Sequence, residues 1–275
     1  MRYDLIRLVL IARDPDLLTV IDGDIATRET WLRRLFGAEI TFAHYGNDFH
    51  YVPETEGVDT HLILGRVGRA RPVAENQPPE EGLREIERES WIAAGVIIDP
   101  TTHPDGQKLA IEENVRVGKS AAIIKSLVQH VNEERYEPYI IEANPVVDPD
   151  TFWEFERANR GEITSVSFDL YAPNMFGLRS ELDKELRELR DNEKARETKL
   201  TLENKDGLNL ETERVHLMVD YTLEGGGNIR ARTKRKKRYN SKQRMKKVTI
   251  EQPPAAGFLT RMRTAIGQLF GGTDT

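Results

Sequence analysis

The residues best suited to chemistry in this chain are the lysines and arginines near its C-terminus. Eleven of the 40 Lys and Arg residues lie between Arg230 and Lys247, a stretch that contains no Asp or Glu. The other 29 face 46 acidic residues, so an acidic body carries one basic segment. Repeated Lys and Arg residues gain affinity for a polyphosphate backbone by displacing its condensed counterions. The basic segment therefore predicts contact with DNA or RNA.

A β-hairpin is the predicted conformation of the basic segment, with arms over residues 228–236 and 245–251. Alternate residues of a strand share one face, so Arg230, Arg232 and Lys234 would point the same way. Tyr239 would lie near the hairpin tip, where an aromatic ring can stack on a base. The candidate nucleic-acid-binding residues are Arg230, Arg232, Lys234, Arg235, Lys236, Lys237, Arg238, Tyr239, Lys242, Arg244, Lys246 and Lys247.

Two further roles fit the same charges. Lysines on an edge hairpin can simply prevent sheet-to-sheet aggregation. They can also pair with the protein's own acidic body or with an acidic partner. A protein–protein adaptor or toxin-like subunit of an oligomeric complex is therefore the alternative function.

Gly118-Lys119-Ser120 stands between a predicted strand and a predicted helix, where a phosphate-binding loop would lie. The full motif requires a glycine five positions before the Gly-Lys pair, and that position is Glu113. A carboxylate there would repel phosphate. The sequence favours Ser120 as an ordinary helix cap.

A metal-dependent nuclease is the second alternative. Such a site needs carboxylates and a lysine that converge on a divalent metal. Asp99, Lys108 and Glu112 lie on one predicted hairpin and could approach each other, although no Glu-x-Lys follows the aspartate. The six histidines match no metal-ligand spacing. We predict no metal or cofactor, and a non-enzymatic role is favoured over an enzymatic one.

Strand and helix patterns interleave along the chain. Residues 3–12, 138–143 and 163–171 read as strands, and 91–98 with 108–117 as a hairpin. Helical spacing covers 120–131, 178–196 and 210–223, and Thr27 or Thr30 can cap a helix that Gly37 ends. These patterns predict an α+β protein, with helices packed on a mixed sheet and a basic hairpin at the end.

Three parts are predicted along the chain. Residues 1–135 form an N-terminal α+β part with an exposed, linker-like excursion near 68–89. Residues 136–252 form an alternating part that ends in the basic hairpin. Residues 253–275 contain an amphipathic helix and a loose tail, and 254–270 would dock on a protein partner or a second copy.

Composition narrows the compartment. The chain has no cysteine, which excludes disulfides and thiolate metal sites. No apolar run approaches the roughly 20 residues that cross a bilayer, so no membrane span is predicted. The N-terminus mixes charge into its apolar run, unlike a signal peptide. We expect a cytoplasmic protein.

Three short motifs resemble a family of uncharacterised bacterial proteins found near phage-defence genes. They are Glu142-x-Asn144-Pro145-Val146-x-Asp148, Gly161-x-Ile163-Thr164 and Pro173-Asn174. The resemblance covers roughly residues 90–250 and implies a role in antiviral defence. It supplies no catalytic residues. Asn144-Pro145 and Asp148 are equally well explained as a turn and a helix cap.

Overall fold

The computed structural model describes residues 1–13, 27–54, 61–101, 106–134, 137–148, 150–171, 181–193, 195 and 197–249. It is an α+β protein, as predicted. The strands are β1 Arg2–Ala12, β2 Ile40–His44, β3 Asn47–Pro53, β4 Ile63–Asn76, β5 Glu85–Asp99, β6 Gln107–Glu112, β7 Tyr139–Pro145, β8 Ile163–Tyr171, β9 Glu197–Glu203, β10 Gly227–Thr233, β11 Arg238–Asn240 and β12 Lys247–Thr249. The helices are α1 Arg28–Phe36, α2 Ser120–Glu133, α3 Asp150–Ala158, α4 Glu181–Glu193 and α5 Glu213–Tyr221.

The strands form a large sheet and a small one. The large sheet has the order β12-β1-β6-β5-β4-β3-β2, and β7 also pairs with β1. β1 is its organising strand, because β6 lies along one edge while β7 and β12 lie end to end along the other. The small sheet has the order β11-β10-β8-β9. We predicted a mixed sheet, but the pairs between the described strands are antiparallel.

The main core lies between the large sheet and two helices. Ile6, Leu8 and Leu10 of β1 face α1 and α2, and α2 buries the apolar stripe that its sequence predicted. The Thr27 hydroxyl caps α1 by accepting a bond from the Thr30 N–H at 3.2 Å. Lys119, not Ser120, is the N-cap residue of α2. Ser120 is instead buried and forms a hydrogen bond with the carboxyl group of Asp4.

Asp4 is a buried carboxyl group on β1, with only 4% of its surface exposed. Burial raises its pKa, against the Ser120 hydrogen bond and the nearby Lys247. A carboxyl group whose pKa is raised by folding favours the folded state when it is protonated, and that advantage is lost as the pH rises through the folded pKa.

Asp4→Asn is therefore expected to raise the free energy of unfolding at pH 7 by about 1 kcal/mol, because a neutral amide replaces a desolvated charge. The gain should shrink as the pH falls below about 4, where the carboxyl group of the unfolded chain is also protonated. Urea unfolding of both proteins at pH 7 and pH 3 measures the difference. An equal effect at both pH values would contradict this mechanism.

Residues 68–89 are a paired β-ribbon and not the linker that the sequence suggested. β4 and β5 stay in register from Ile63 opposite Ile98 to Asn76 opposite Glu85. Most side chains between 71 and 91 are exposed, so the ribbon projects away from the core. β3 pairs with β4 only as far as Gly68. Beyond that residue no described strand lies along this edge of β4, so the missing N–H of Pro72 is tolerated there.

The small sheet has its own core. Val166, Phe168 and Leu170 of β8 pack with Phe152 of α3 and Val219 of α5. The division predicted at residue 135 does not coincide with this boundary, since β7 and β12 both belong to the large sheet. The helix predicted within 253–275, and the docking segment 254–270, lie outside the described residues. None of the helices described here is both long and apolar enough to cross a bilayer.

Candidate nucleic-acid interface

The basic segment forms a shorter hairpin than predicted. β10 pairs with β11, and residues 234–237 make the turn, in which Lys236 has a φ of 61°. The described part of the predicted second arm, residues 245–249, does not pair with β10. Its residues 247–249 form β12, which pairs with β1 of the large sheet. The early turn is closed by the Lys236 N–H and the Thr233 carbonyl, 2.9 Å apart.

The predicted alternation along β10 is confirmed. Arg230 and Arg232 are exposed, whereas Ala231 and Thr233 between and beyond them are 5% and 1% exposed. Lys234 is exposed in the turn that follows.

The outer face of the small sheet carries two polar rows. In one row, Arg232 of β10 lies between Arg238 of β11 and Ser165 of β8. In the next row, Arg230 lies between Asn240 and Ser167. Directly opposed residues of antiparallel strands project from the same face. We call Arg230, Arg232, Arg238, Ser165 and Ser167 the arginine face.

The arginine face lines a shallow concavity of about 510 Å³, whose wall also includes Asn240 and Gln243. A second concavity of about 440 Å³ shares Ser165 and Arg232 and continues to Lys234 and Lys236. The two concavities make one continuous polar surface lined with hydroxyl groups, cations and one carboxylate, that of Glu203, which accepts a bond from the Ser165 hydroxyl at 3.2 Å. Guanidinium groups and hydroxyls are among the side-chain groups that contact phosphate oxygens.

Part of the basic segment is bound to the protein itself. Arg235 pairs with Glu162 at 3.1 Å, and Lys247 pairs with Glu113. The ammonium of Lys234 donates to the Asp206 carbonyl at 3.0 Å, and that of Lys237 to the Asn159 side chain at 3.1 Å.

Apart from Arg230, the remaining cations of the segment have no such attachment. Within the described ranges, these basic residues form no ion pair: Arg232, Lys236, Arg238, Lys242, Arg244 and Lys246. Of these six, Arg232 and Arg238 lie on the arginine face, which makes that face the strongest candidate for an interface.

Arg230 is held in place by a buried acid. Its Nη2 lies 2.8 and 3.0 Å from the two carboxylate oxygens of Asp169, which is 6% exposed. The Asn228 amide donates to the same carboxylate at 3.3 Å, and its own oxygen accepts from Ser241 at 2.8 Å. This network positions Arg230 at the edge of the arginine face and leaves Arg232 and Arg238 as its unneutralised cations.

Tyr239 does not have the role that the sequence suggested. It is 4% exposed and packs edge-on against Phe152, with ring centroids 5.4 Å apart. Its hydroxyl group lies 2.9 Å from that of Thr151, and burial raises its pKa. The side chain is an anchor of the small core, so it is not placed to stack on a base.

Sequence reasoning missed Ser165, Ser167 and Asp169. Their signal is the alternation of β8, where polar residues at 165, 167 and 169 interleave with buried Val166, Phe168 and Leu170. That pattern reveals a polar face, but only the register shows that β10 places its arginines beside it.

The nuclease residues do not converge. Asp99 lies opposite Lys108, but Glu112 is four residues further along β6, roughly 13 Å away. Glu112 instead accepts a bond from the Gly95 N–H at 3.0 Å. In the part of the chain that the structure describes, no cluster of three metal-ligating side chains occurs.

The other sequence motifs have structural roles. Asp148 accepts a bond from the Asp150 N–H at 3.1 Å, as expected of a cap at the start of α3. Glu113, which replaces the glycine of a phosphate loop, binds Arg2 and Lys247. Pro173-Asn174 and His103 lie outside the described residues.

No family model, no curated protein and no solved structure shows significant similarity to this chain.

Proposed function

We propose that this protein binds the phosphate backbone of DNA or RNA through the arginine face. The observation that carries the proposal is the pair of cross-strand rows, in which guanidinium groups stand beside serine hydroxyls on an exposed sheet surface. The chain has a formal charge of −6, so most of its surface repels a polyanion. This repulsion would restrict binding to the arginine face and its margin.

Binding of this kind would show little specificity for nucleotide sequence. Phosphate contacts fix position, whereas base identity is read by contacts to base edges. Tyr239 is buried, so the basic segment offers no aromatic ring on which bases could stack. The resemblance to proteins found near phage-defence genes suggests antiviral defence as the setting for such binding.

A salt-dependent titration tests the proposal. Two phosphate contacts, from Arg232 and Arg238, predict that raising the salt from about 50 to 200 mM weakens binding roughly 7- to 12-fold. The variant Arg232→Ser/Arg238→Ser should bind at least about tenfold more weakly at low salt, with a salt slope reduced by about two contacts. Fluorescence anisotropy with labelled single-stranded DNA, double-stranded DNA and RNA measures both quantities and identifies the preferred nucleic acid.

The matched control is Arg71→Ser/Arg84→Ser, which removes the same charge from the exposed ribbon. It should bind like the wild type. Equal losses in both variants would show a general charge effect and not an interface. Binding that ignores salt would refute the backbone mechanism. If no oligonucleotide binds, the better hypothesis is the alternative function, in which an acidic partner protein occupies the arginine face.

A further inference from the structure

A small cavity lies where the turn between β2 and β3 meets the start of α2. Its volume is about 400 Å³, which is within the range of small-molecule sites. Two cations and three ring-bearing side chains line it, namely Arg69, Lys119, His44, Tyr45 and Phe49. No Asp or Glu of the described chain lines the cavity. The nucleic-acid proposal makes no use of it.

Arg69 and Lys119 give the cavity its charge. The guanidinium carbon of Arg69 lies 5.7 Å from the centre of the Phe49 ring, and its Nη2 donates a long bond of 3.4 Å to the Arg116 carbonyl. Its Nε is buried and has no hydrogen-bond partner. Lys119 is exposed, and within the described ranges neither cation forms an ion pair. Both charges are therefore available to an anion.

His44 contributes a ring nitrogen that the fold leaves without a hydrogen bond. The side chain is 7% exposed, and its Nδ1 lies 2.8 Å from the Ser126 hydroxyl. In the part of the chain that the structure describes, nothing bonds its Nε2. Burial and the nearby Arg69 lower the pKa of His44, so the imidazole is neutral at pH 7. When the Ser126 hydroxyl donates to Nδ1, the ring hydrogen lies on Nε2 and is available to an acceptor in the cavity.

The acids near the start of α2 are engaged elsewhere. Glu113, which the sequence suggested would repel phosphate, pairs with one cation of β1 and one of β12. Asp4 is bonded to Ser120, and burial raises its pKa and so favours its uncharged form. Asp48 precedes Phe49 on β3, so its side chain projects from the other face of the sheet. The two cations therefore dominate the potential in the cavity.

Tyr45 places an exposed aromatic ring at the rim of the cavity. It is 86% exposed, and its ring centroid lies 4.5 Å from that of His44. Its φ is 47°, a backbone conformation that Asn or Gly adopts more readily in a two-residue hairpin turn. An exposed aromatic ring offers a surface on which a nucleobase can stack. A ring beside two cations suits a ligand that joins a planar base to a phosphate.

We propose that this cavity binds a nucleotide, with its phosphate held by His44, Arg69 and Lys119 and its base stacked on Tyr45. Side chains supply these contacts, so the glycine that a phosphate-binding loop requires is not needed. A free nucleotide and the 5′-phosphorylated end of a nucleic acid share this chemistry. The large sheet and α2 form the site, so it stands or falls independently of the arginine face.

Isothermal titration calorimetry of the full chain with AMP, ribose 5-phosphate and adenosine tests the proposal. AMP should bind about tenfold more tightly than ribose 5-phosphate, which lacks the base, and at least about tenfold more tightly than adenosine, which lacks the phosphate. Lys119→Met and Arg69→Met should each weaken AMP binding at least about tenfold. Tyr45→Asn should weaken AMP binding about tenfold and leave ribose 5-phosphate unchanged. It should also raise the Tm, because Asn tolerates the positive φ.

Lys125→Met is the matched control, because it removes the same charge from an exposed position of the same helix outside this cavity. It should bind AMP like the wild type. Arg232→Ser/Arg238→Ser should also bind AMP like the wild type, which separates this site from the arginine face. In that variant, tighter binding of a 5′-phosphorylated dinucleotide than of AMP would identify a nucleic-acid end as the ligand, and the reverse order a free nucleotide.

Three results would overturn the proposal. The first is a wild-type protein that does not bind AMP. The second is an equal loss of AMP binding in Lys119→Met and Lys125→Met, which would show a general charge effect. The third is an equal loss of AMP and ribose 5-phosphate in Tyr45→Asn, which would refute stacking of the base.

Discussion

Replacing Tyr239 with alanine is expected to lower the free energy of unfolding by about 3–5 kcal/mol, the range for removing a buried aromatic side chain. The ring packs against Phe152 and Phe155, with centroid distances of 5.4 and 5.5 Å. It joins β11 to α3, so its loss would leave a cavity between the hairpin and the helix. Urea denaturation followed by circular dichroism measures the change.

Tyr239→Phe separates packing from the hydrogen bond. It keeps the ring and removes only the hydrogen bond between the Tyr239 and Thr151 hydroxyl groups. We therefore expect the free energy of unfolding to fall by about 1 kcal/mol. Both variants should retain the salt-dependent binding of the arginine face under conditions in which they are folded. A small stability loss in Tyr239→Ala, together with a large loss of oligonucleotide binding, would instead restore the base-stacking role.

The wrong prediction for Tyr239 shows where sequence patterns stop being informative. The charges on both sides of Tyr239 suggested an exposed hairpin tip. In the structure, β11 is a short strand whose alternation directs Arg238 outward and Tyr239 inward. The same alternation is visible in Ile163–Tyr171, where the predicted strand matches β8. A nine-residue strand carries enough repeats to be recognised, but a three-residue strand does not.

Pairing partners were the least predictable feature of the fold. Local spacing correctly predicted α2 and the β5–β6 hairpin, because their contacts are close in sequence. It paired 245–251 with β10, yet β12 pairs with the first residues of β1. A contact between Arg2 and Thr249 leaves no periodic signal in either segment. The charge of the basic segment was therefore predictable, but the pairing of three of its cations with Glu113, Glu162 and Asp169 was not.

The sequence of β1 gives no sign of how deeply its charged residues are buried. In the structure, Asp4 and Arg7 are 4% and 3% exposed, on opposite faces of a strand buried on both sides. Such charges cost stability unless they are paired or hydrogen-bonded. Sequence periodicity alone gives no reason to expect that both faces of β1 are covered.

The contact between Arg7 and Gly225 is the point at which the turn after α5 meets β1, and it predicts a large effect of Gly225→Ala. Gly225 has a φ of 95°, which a residue with a side chain rarely adopts, and its Cβ would lie 2.5 Å from the Arg7 Cβ. Backbone strain and overpacking each cost about 1–3 kcal/mol. We therefore expect the free energy of unfolding to fall by roughly 3 kcal/mol or more.

Gly161→Ala is the matched control, because Gly161 also has a positive φ of 71° but no atom within 4 Å of the added Cβ. It should lose only the conformational part, about 1–2 kcal/mol. The difference between the two variants, measured by urea denaturation, isolates the contact with Arg7. Equal losses would show that residues 222–226 can move away from β1 and relieve the contact with Arg7.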